Sequence, residues 1–188
     1  METKSEIVTQ YLSDMHVLEQ HIQKALEKQV GTTEDQPEIN RALKGYLATT
    51  TTHVERLAAR MQALGDQDSV VDKAKGAVST LAGHAAGLID TVRTHQTSKD
   101  LRDDYTAASL ASISYVMLQT TALACGDQQT SDLAKTQLSE TVKMLQWIAS
   151  AMPAVTVRDL QAERDVTLDT SAAQKVTANP ALAALFGS

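Results

Sequence analysis

Apolar residues recur at steps of three and four along five long stretches of this sequence, a spacing typical of one buried face of an α-helix. The stretches cover about residues 5–30, 35–65, 68–95, 98–126 and 128–152. With 3 prolines and 8 glycines in 188 residues, little interrupts them. The connection at Gly126-Asp127 is so short that the fourth and fifth helices must be antiparallel neighbours. The pattern predicts an all-α fold, an up-and-down bundle of four to five long antiparallel helices with a short C-terminal tail.

Residues at the ends of the stretches predict where the helices begin and end. Ser5 is expected to cap the first helix, and Pro37 lies in the first turn of the second, where no hydrogen bond is lost. Gly65 and Gly126 are expected to end the second and fourth helices, and Pro153 to stop the fifth. The predicted buried side of the fourth helix comprises Leu101, Tyr105, Ala108, Ile113, Val116, Met117, Thr120 and Leu123.

Composition and charge narrow the classes of function. The formal net charge of −6 and the lack of basic runs argue against a nucleic-acid-binding protein, which would carry clustered Lys and Arg. The single cysteine, Cys125, fits a reducing compartment. The polar N-terminus is not followed by a signal-like apolar segment, and no stretch approaches the roughly 18 apolar residues of a membrane span. We therefore expect a cytoplasmic protein that binds neither nucleic acid nor membrane.

Four short segments carry a resemblance to a known family. Residues 11–22 read YLSDMHVLEQHI, residues 53–57 and 62–65 read HVERL and QALG, and residues 73–76 read KAKG. Over roughly residues 5–152 the order of helices and these segments resemble the YciF-type branch of the ferritin-like superfamily. That branch comprises small, stress-associated bacterial proteins of poorly known function. The resemblance implies a ferritin-like bundle and a role in a bacterial stress response.

The metal-ligand pattern that the resemblance implies is largely missing. A four-helix di-metal site takes a Glu from each of two helices and Glu-x-x-His from the other two, because about six donors must converge on two cations. Glu-x-x-His occurs nowhere in this sequence. Glu19 and Glu140 match the first-helix and last-helix carboxylates, whereas His53 is displaced by two residues, about 200° around its helix. The other ligand positions hold Ala48, Thr49, Thr51, Ala108, Ser109 and Ala111. Neither a metal cofactor nor a catalytic residue is therefore expected.

A rearranged metal site is the alternative. Glu19, His53 and Glu140 could meet inside the bundle, and His16 lies three residues before Glu19 on one helix face. Such a site would hold iron, manganese or zinc. The simpler interpretation is that Glu19 is a relic, partly exposed or hydrogen-bonded to hydroxyls of the run at Thr49–Thr52. Those hydroxyls would also bond to carbonyls of their own helix and fill a vacated polar cavity.

Beyond Pro153 the pattern changes, which divides the chain into a bundle at residues 1–153 and a C-terminal part at residues 154–188. The second part is expected to hold a short helix, a polar tether at residues 167–179 and an apolar terminal segment. The tether is expected to be mobile unless that segment anchors it. The segment either folds back on the bundle or docks on another protein. Its candidate docking residues are Leu182, Leu185 and Phe186.

Three hypotheses of function follow, each from a different class. The leading one is a non-catalytic ferritin-like bundle, a homodimer, that acts through binding or self-assembly in a stress context. The second is a metal-binding oxidoreductase with the rearranged site. The third is a cargo or adaptor protein that docks through its C-terminal segment.

Overall fold

The computed structural model describes residues 2–65, 97–163 and 167–184, and these ranges are built from α-helices. Four helices are long: α1 at Lys4–Thr32, α2 at Pro37–Ala63, α3 at Thr97–Cys125 and α4 at Gln128–Glu163. Two short helices follow, α5 at Ala172–Thr177 and α6 at Pro180–Ala184. The predicted all-α bundle is confirmed. The predicted helix at about residues 68–95 lies outside the described residues.

Helix α1 runs antiparallel to two neighbours, α2 and α3. Only residues 33–36 connect α1 to α2, so these two helices form a hairpin. Against α3, Glu19 accepts a hydrogen bond from Tyr115, and Gln29 donates one to Asp104. Residue numbers therefore rise along α1 as they fall along α3, which makes the two helices antiparallel.

The end of α2 is fastened to the turn between α3 and α4. Arg60 donates to Asp127 at 2.7 Å, to Gln129 at 2.6 Å and to the Thr130 hydroxyl at 2.8 Å. Burial by itself would raise the pKa of Asp127, but hydrogen bonds from Arg60 and Thr130 outweigh it, and the pKa lies below its ordinary value. Because α4 begins where α2 ends, these two helices are antiparallel as well.

The four long helices therefore form a bundle in which α1 contacts α2 and α3, and α4 contacts the same two. Every neighbouring pair is antiparallel, as predicted, while α2 and α3 run in the same direction at opposite corners. The interior is mainly aliphatic, and burying each such side chain stabilises the fold by about 1.5–3 kcal/mol. Its fully buried large residues include Leu12, Leu26, Leu57, Leu101, Leu118 and Ile148.

Three of the predicted helix ends agree with the structure. Pro37 is the first residue of α2, and Gly65 and Gly126 follow α2 and α3 with φ of +91° and +82°. A glycine adopts these left-handed angles without steric strain. The predicted cap Ser5 is wrong, because Thr3 caps α1 through a reciprocal pair of hydrogen bonds with Glu6.

The prediction that Pro153 stops the fifth predicted helix is wrong. Helix α4 continues through Pro153 to Glu163, and Val155 beyond the proline is buried in the core. The proline removes one backbone donor from the helix, but packing against the bundle holds the following turns. The predicted division at residue 153 thus falls inside a continuous helix.

The buried side of α3 contains Leu101 and Ala108 of the predicted set but none of its residues from Ile113 onward. It is formed by Leu101, Asp104, Ala108, Ala111, Tyr115, Leu118 and Ala122, three of which are alanines. Larger apolar residues point outward and are between 37% and 56% exposed; we call this set, Leu110, Ile113, Val116, Met117 and Leu123, the α3 outer face. Thr120 is exposed as well. Small buried residues let α3 lie close to its neighbours, so side-chain size does not mark its inner face.

Within the described ranges, α3 is also the one helix long and apolar enough to cross a membrane by length and composition. An 18-residue window of it has a mean hydropathy of 1.3, and 28% of that window is buried in the fold. The expectation that no stretch approaches this limit is therefore wrong. A core helix of a bundle passes the same test, and α3 packs on both α1 and α4.

The C-terminal part folds back on the bundle. Helix α5 packs against α4, and a groove of about 580 Å³ between α3, α4 and the tail is lined by residues that include Leu160, Val176 and Leu182. The predicted tether at residues 167–179 is wrong in part, because it contains α5. Of the predicted docking residues, Leu182 lies in this groove, while Leu185 and Phe186 lie outside the described residues.

Candidate functional site

Each of the four long helices contributes one polar residue to a cluster at the centre of the bundle. Glu19 comes from α1, His53 from α2, Tyr115 from α3 and Glu140 from α4. The first three are at most 2% exposed, and the Glu140 side chain is 33% exposed. The structure thus brings together three of the four predicted metal-ligand candidates. We call these four residues the central cluster.

His53 lies between the two carboxylates and bonds to both. Its Nδ1 lies 3.0 Å from Oε1 of Glu19, and its Nε2 lies 2.8 Å from Oε2 of Glu140. Burial by itself lowers the pKa of His53, but the hydrogen bonds and charges of Glu19 and Glu140 outweigh it, so the pKa lies above its ordinary value. The arrangement favours an imidazolium that donates to a carboxylate on each side.

Glu19 is held from a second direction by Tyr115. The phenol hydroxyl donates to Oε1 of Glu19 at 2.5 Å, the same oxygen that faces His53. Burial and the Glu19 charge both raise the pKa of Tyr115, so the phenol keeps its proton and serves as a donor. Glu19 is therefore not partly exposed, and the hydroxyl that bonds to it belongs to Tyr115 and not to the predicted run at Thr49–Thr52.

Glu140 links the central cluster to the surface. The side chain of Arg56, which is 47% exposed, lies 3.6 Å from the same oxygen that contacts His53. An exposed pair of this kind contributes little stability by itself. It does place one positive charge beside the carboxylate that receives the imidazolium N–H. The cluster is thus closed at Glu19 and open to solvent at Glu140.

The run at Thr49–Thr52 bonds as expected to its own helix. The hydroxyls of Thr49, Thr51 and Thr52 each donate to the carbonyl four residues earlier. Thr50 is buried beside the central cluster and, with Thr49, borders a residual space of only about 10 Å³. One water molecule needs at least that volume, so the run leaves almost no room there.

His16 does not join the central cluster. Its side chain is buried, and burial lowers its pKa, so the imidazole is held in its neutral form. The prediction that it could complete a metal site with Glu19 therefore finds no support in the geometry. A buried, neutral histidine that serves packing explains its position.

Tyr115 is the member of the central cluster that the sequence did not reveal. It is surrounded in the chain by Ala, Ser and large apolar residues, and the predicted inner face of its helix excluded it. The signal was available in the spacing, because the polar Asp104 lies eleven residues earlier on the same face. Gln137 was also missed; it is fully buried and donates to the backbone carbonyl of His53 at 3.3 Å.

The donor set of the central cluster fits a proton network better than a metal. Both imidazole nitrogens face a carboxylate, so His53 could ligate a cation only by giving up one of these bonds. Within the described ranges, no group of three His, Cys, Asp or Glu residues is placed to hold a metal ion. The arrangement can hold and transfer a proton between Glu19 and Glu140.

Two comparisons with known proteins found a match that covers most of the chain. A family model described as a domain of unknown function, DUF892, matches residues 3–161. No curated protein matches the sequence. A crystal structure of a protein from Xanthomonas campestris is similar, with 18% identity over 85% of this chain and 97% of that chain and a TM-score of 0.68. At this identity the likeness shows the fold alone. Since the family model spans most of the sequence, the protein belongs to the DUF892 family, a domain of unknown function.

Proposed function

We propose that this protein is a non-catalytic, ferritin-like helical bundle that acts through self-assembly, as a homodimer. The observation that carries the non-catalytic part of the proposal is the central cluster, whose imidazole is bonded on both sides. In a ferritin-like enzyme the centre of the bundle holds the reactive metals. Here both nitrogens of His53 are engaged by Glu19 and Glu140, and the adjoining space is about 10 Å³. A substrate therefore has no room at this position.

The α3 outer face supports self-assembly. Its residues belong to a stretch, 107–125, that contains no charged side chain. A charged or strongly polar partner would find nothing complementary there. A second copy of the same face is apolar and of the same shape, and a two-fold axis brings identical patches together. The occupant we infer for this face is therefore the α3 outer face of a second copy.

The biological setting is part of the same proposal. The resemblance of the first helix to stress-associated proteins supports a role in a bacterial stress response. The net charge of −6 and the single, half-buried Cys125 are compatible with a reducing, cytoplasmic location. A protein partner at the C-terminal segment remains a separate hypothesis, for which Leu182 in its groove offers the described contact.

Self-assembly predicts a specific effect of charge on the α3 outer face. Ile113→Lys should convert the dimer to a monomer, because burying an unpaired ammonium in an apolar interface is strongly unfavourable. Sedimentation velocity at several protein concentrations measures the change. Ala59→Lys, which adds the same charge at an exposed position on α2, is the matched control and should stay dimeric. A wild-type chain that is monomeric at all concentrations, or that partitions into lipid vesicles through this face, would contradict the proposal.

Elemental analysis tests the non-catalytic part of the proposal. Protein purified without chelators, and then incubated with iron, manganese or zinc, should retain less than one equivalent of metal. Glu19→Gln keeps the shape of the side chain and removes its charge, and it should give the same metal content. Stoichiometric metal in the wild type that is lost in Glu19→Gln would instead establish the rearranged metal site of the second hypothesis.

A further inference from the structure

A second buried polar pair lies away from the central cluster, between α1 and α3. Asp104 on α3 is 4% exposed and Gln29 on α1 is 8% exposed. The amide nitrogen of Gln29 donates to Oδ1 of Asp104 at 2.9 Å. The other oxygen of each side chain, Oδ2 of Asp104 and Oε1 of Gln29, is buried without a hydrogen-bond partner. Two neighbouring acceptors therefore lack a donor, which is unusual in a folded protein.

Both side chains form part of the wall of a cavity of about 160 Å³. A cavity of about 150 Å³ in another protein admits a molecule the size of benzene. Much of the remaining wall is aliphatic and comprises Leu18, Ile22, Ala25 and Ala107. The charged and titratable groups around it are Asp100 and Asp103 from α3, and His21 and Lys28 from α1. The cavity thus combines apolar walls with a surplus of carboxylates.

We propose that this cavity binds a small primary alkylammonium ion, with its ammonium group on Asp104 and Gln29 and its alkyl chain against the aliphatic wall. An ammonium offers three N–H donors and no acceptor, which is what two unpartnered oxygens require. A bond between an ammonium and a carboxylate is also stronger than one between neutral groups. This site is separate from the central cluster and goes beyond the proposed self-assembly.

The alternatives to an organic cation fit the same wall less well. An anion would be repelled by the unpartnered oxygens of Gln29 and Asp104 and by the nearby carboxylates of Asp100 and Asp103. A divalent metal would need several hard oxygen or imidazole donors, and the part of the chain that the structure describes offers no group of three that could hold one. A neutral alcohol of the same length can donate only one hydrogen bond and carries no charge to complement Asp104.

The protonation of Asp104 gives the proposal a pH signature. Burial raises the pKa of this carboxyl to about 7; the Gln29 hydrogen bond opposes the shift, and the charges of Asp100 and Asp103 add to it. A bound ammonium favours the ionised carboxylate, so binding below pH 7 must release a proton. We expect the affinity to rise about tenfold between pH 6 and pH 8, as the ionised fraction of Asp104 rises.

The experiment is a titration of the full chain with n-butylammonium chloride, followed by two-dimensional NMR of the backbone and glutamine amides. Saturable shifts are expected for the Gln29 side chain and for backbone amides that line the cavity on α1 and α3. Equimolar 1-butanol is the neutral probe of the same length and should bind at least about tenfold more weakly. Equal affinity for both probes, or the absence of saturable shifts, would overturn the proposal.

Three variants complete the experiment. Asp104→Asn keeps the size of the side chain and should weaken n-butylammonium binding by about tenfold or more while abolishing its pH dependence. Lys28→Met removes a competing positive charge and should strengthen binding. His21→Gln should leave the pH dependence in place, since that histidine is exposed and lies at the edge of the cavity. An affinity that is unchanged in Asp104→Asn would show that the carboxyl does not hold the ammonium.

Discussion

His53→Ala should lower the free energy of unfolding by about 3–5 kcal/mol at neutral pH. The substitution removes the group that bonds to Glu19 and Glu140 together, and among the described side chains only Tyr115 would still donate to the buried Glu19. Removing one partner from a buried charged network destabilises a protein far more than replacing the whole network by apolar residues. Urea unfolding followed by circular dichroism measures the loss.

Matched variants separate the effect of losing the hydrogen-bond network from the effect of losing side-chain volume. His21→Ala removes an exposed histidine on α1 and should change stability by less than about 0.5 kcal/mol. Combining Glu19→Gln with His53→Ala should recover part of the loss, because the carboxylate left behind is then neutral. A double variant that is less stable than His53→Ala alone would show that the charge on Glu19 is not the cause.

The contribution of His53 should also depend on pH in one direction. Its folded-state pKa lies above the unfolded value of about 6.5, so the stabilisation is fully present below that pH and is lost as pH rises through the folded-state pKa. The gap in stability between the wild type and His53→Gln should therefore be larger at pH 6 than at pH 9. A gap that widens with rising pH would mean that His53 is neutral in the folded protein.

Asp104→Asn should stabilise the protein at alkaline pH, by on the order of 4 kcal/mol above pH 8. Burial raises the pKa of Asp104 from 3.8 to about 7, so the folded state is favoured while the carboxyl is protonated and loses that advantage as pH rises through 7. Asn cannot ionise, and its amide supplies a donor where Oδ2 has no partner. Unfolding curves at pH 4 and pH 9 measure the effect, which should be small at pH 4.

Asp103→Asn is the control for this prediction. Asp103 is only half-buried and is paired with the exposed guanidinium of Arg102, so its replacement should change stability by less than about 1 kcal/mol at either pH. If Asp104→Asn were destabilising at pH 9, the carboxylate of Asp104 would have a positive partner in solution. Such a result without any added amine would point to Lys28, a lysine in the described wall of the cavity.

The sequence was sufficient to predict the architecture and three residues of the central cluster. Long apolar stripes ending at Gly65 and Gly126 predicted antiparallel helices, and these follow from local periodicity and backbone sterics. Glu19 and Glu140 were identified as candidates because they match ligand positions implied by the family resemblance, and His53 because it could join them inside the bundle.

The other features of the fold and the site depend on tertiary packing, which the periodicity of apolar residues does not encode. On α3 the inner face carries Ala108 and Ala111 while Ile113 and Met117 point outward, so a search for large apolar residues selects the wrong side. Tyr115 was overlooked for this reason. The path of α4 through Pro153 likewise depends on tertiary contacts, which outweigh the loss of one helix hydrogen bond.

The central cluster has a consequence for how the two halves of the molecule recognise each other. Glu19 and His53 belong to the hairpin of α1 and α2, whereas Tyr115 and Glu140 belong to the hairpin of α3 and α4. Aliphatic side chains alone would tolerate a slip of one helical turn between the hairpins. A slip of that size, about 5.4 Å, would separate Glu19 from the phenol of Tyr115 and His53 from the carboxylate of Glu140. The four polar groups thus favour a single register of one hairpin against the other.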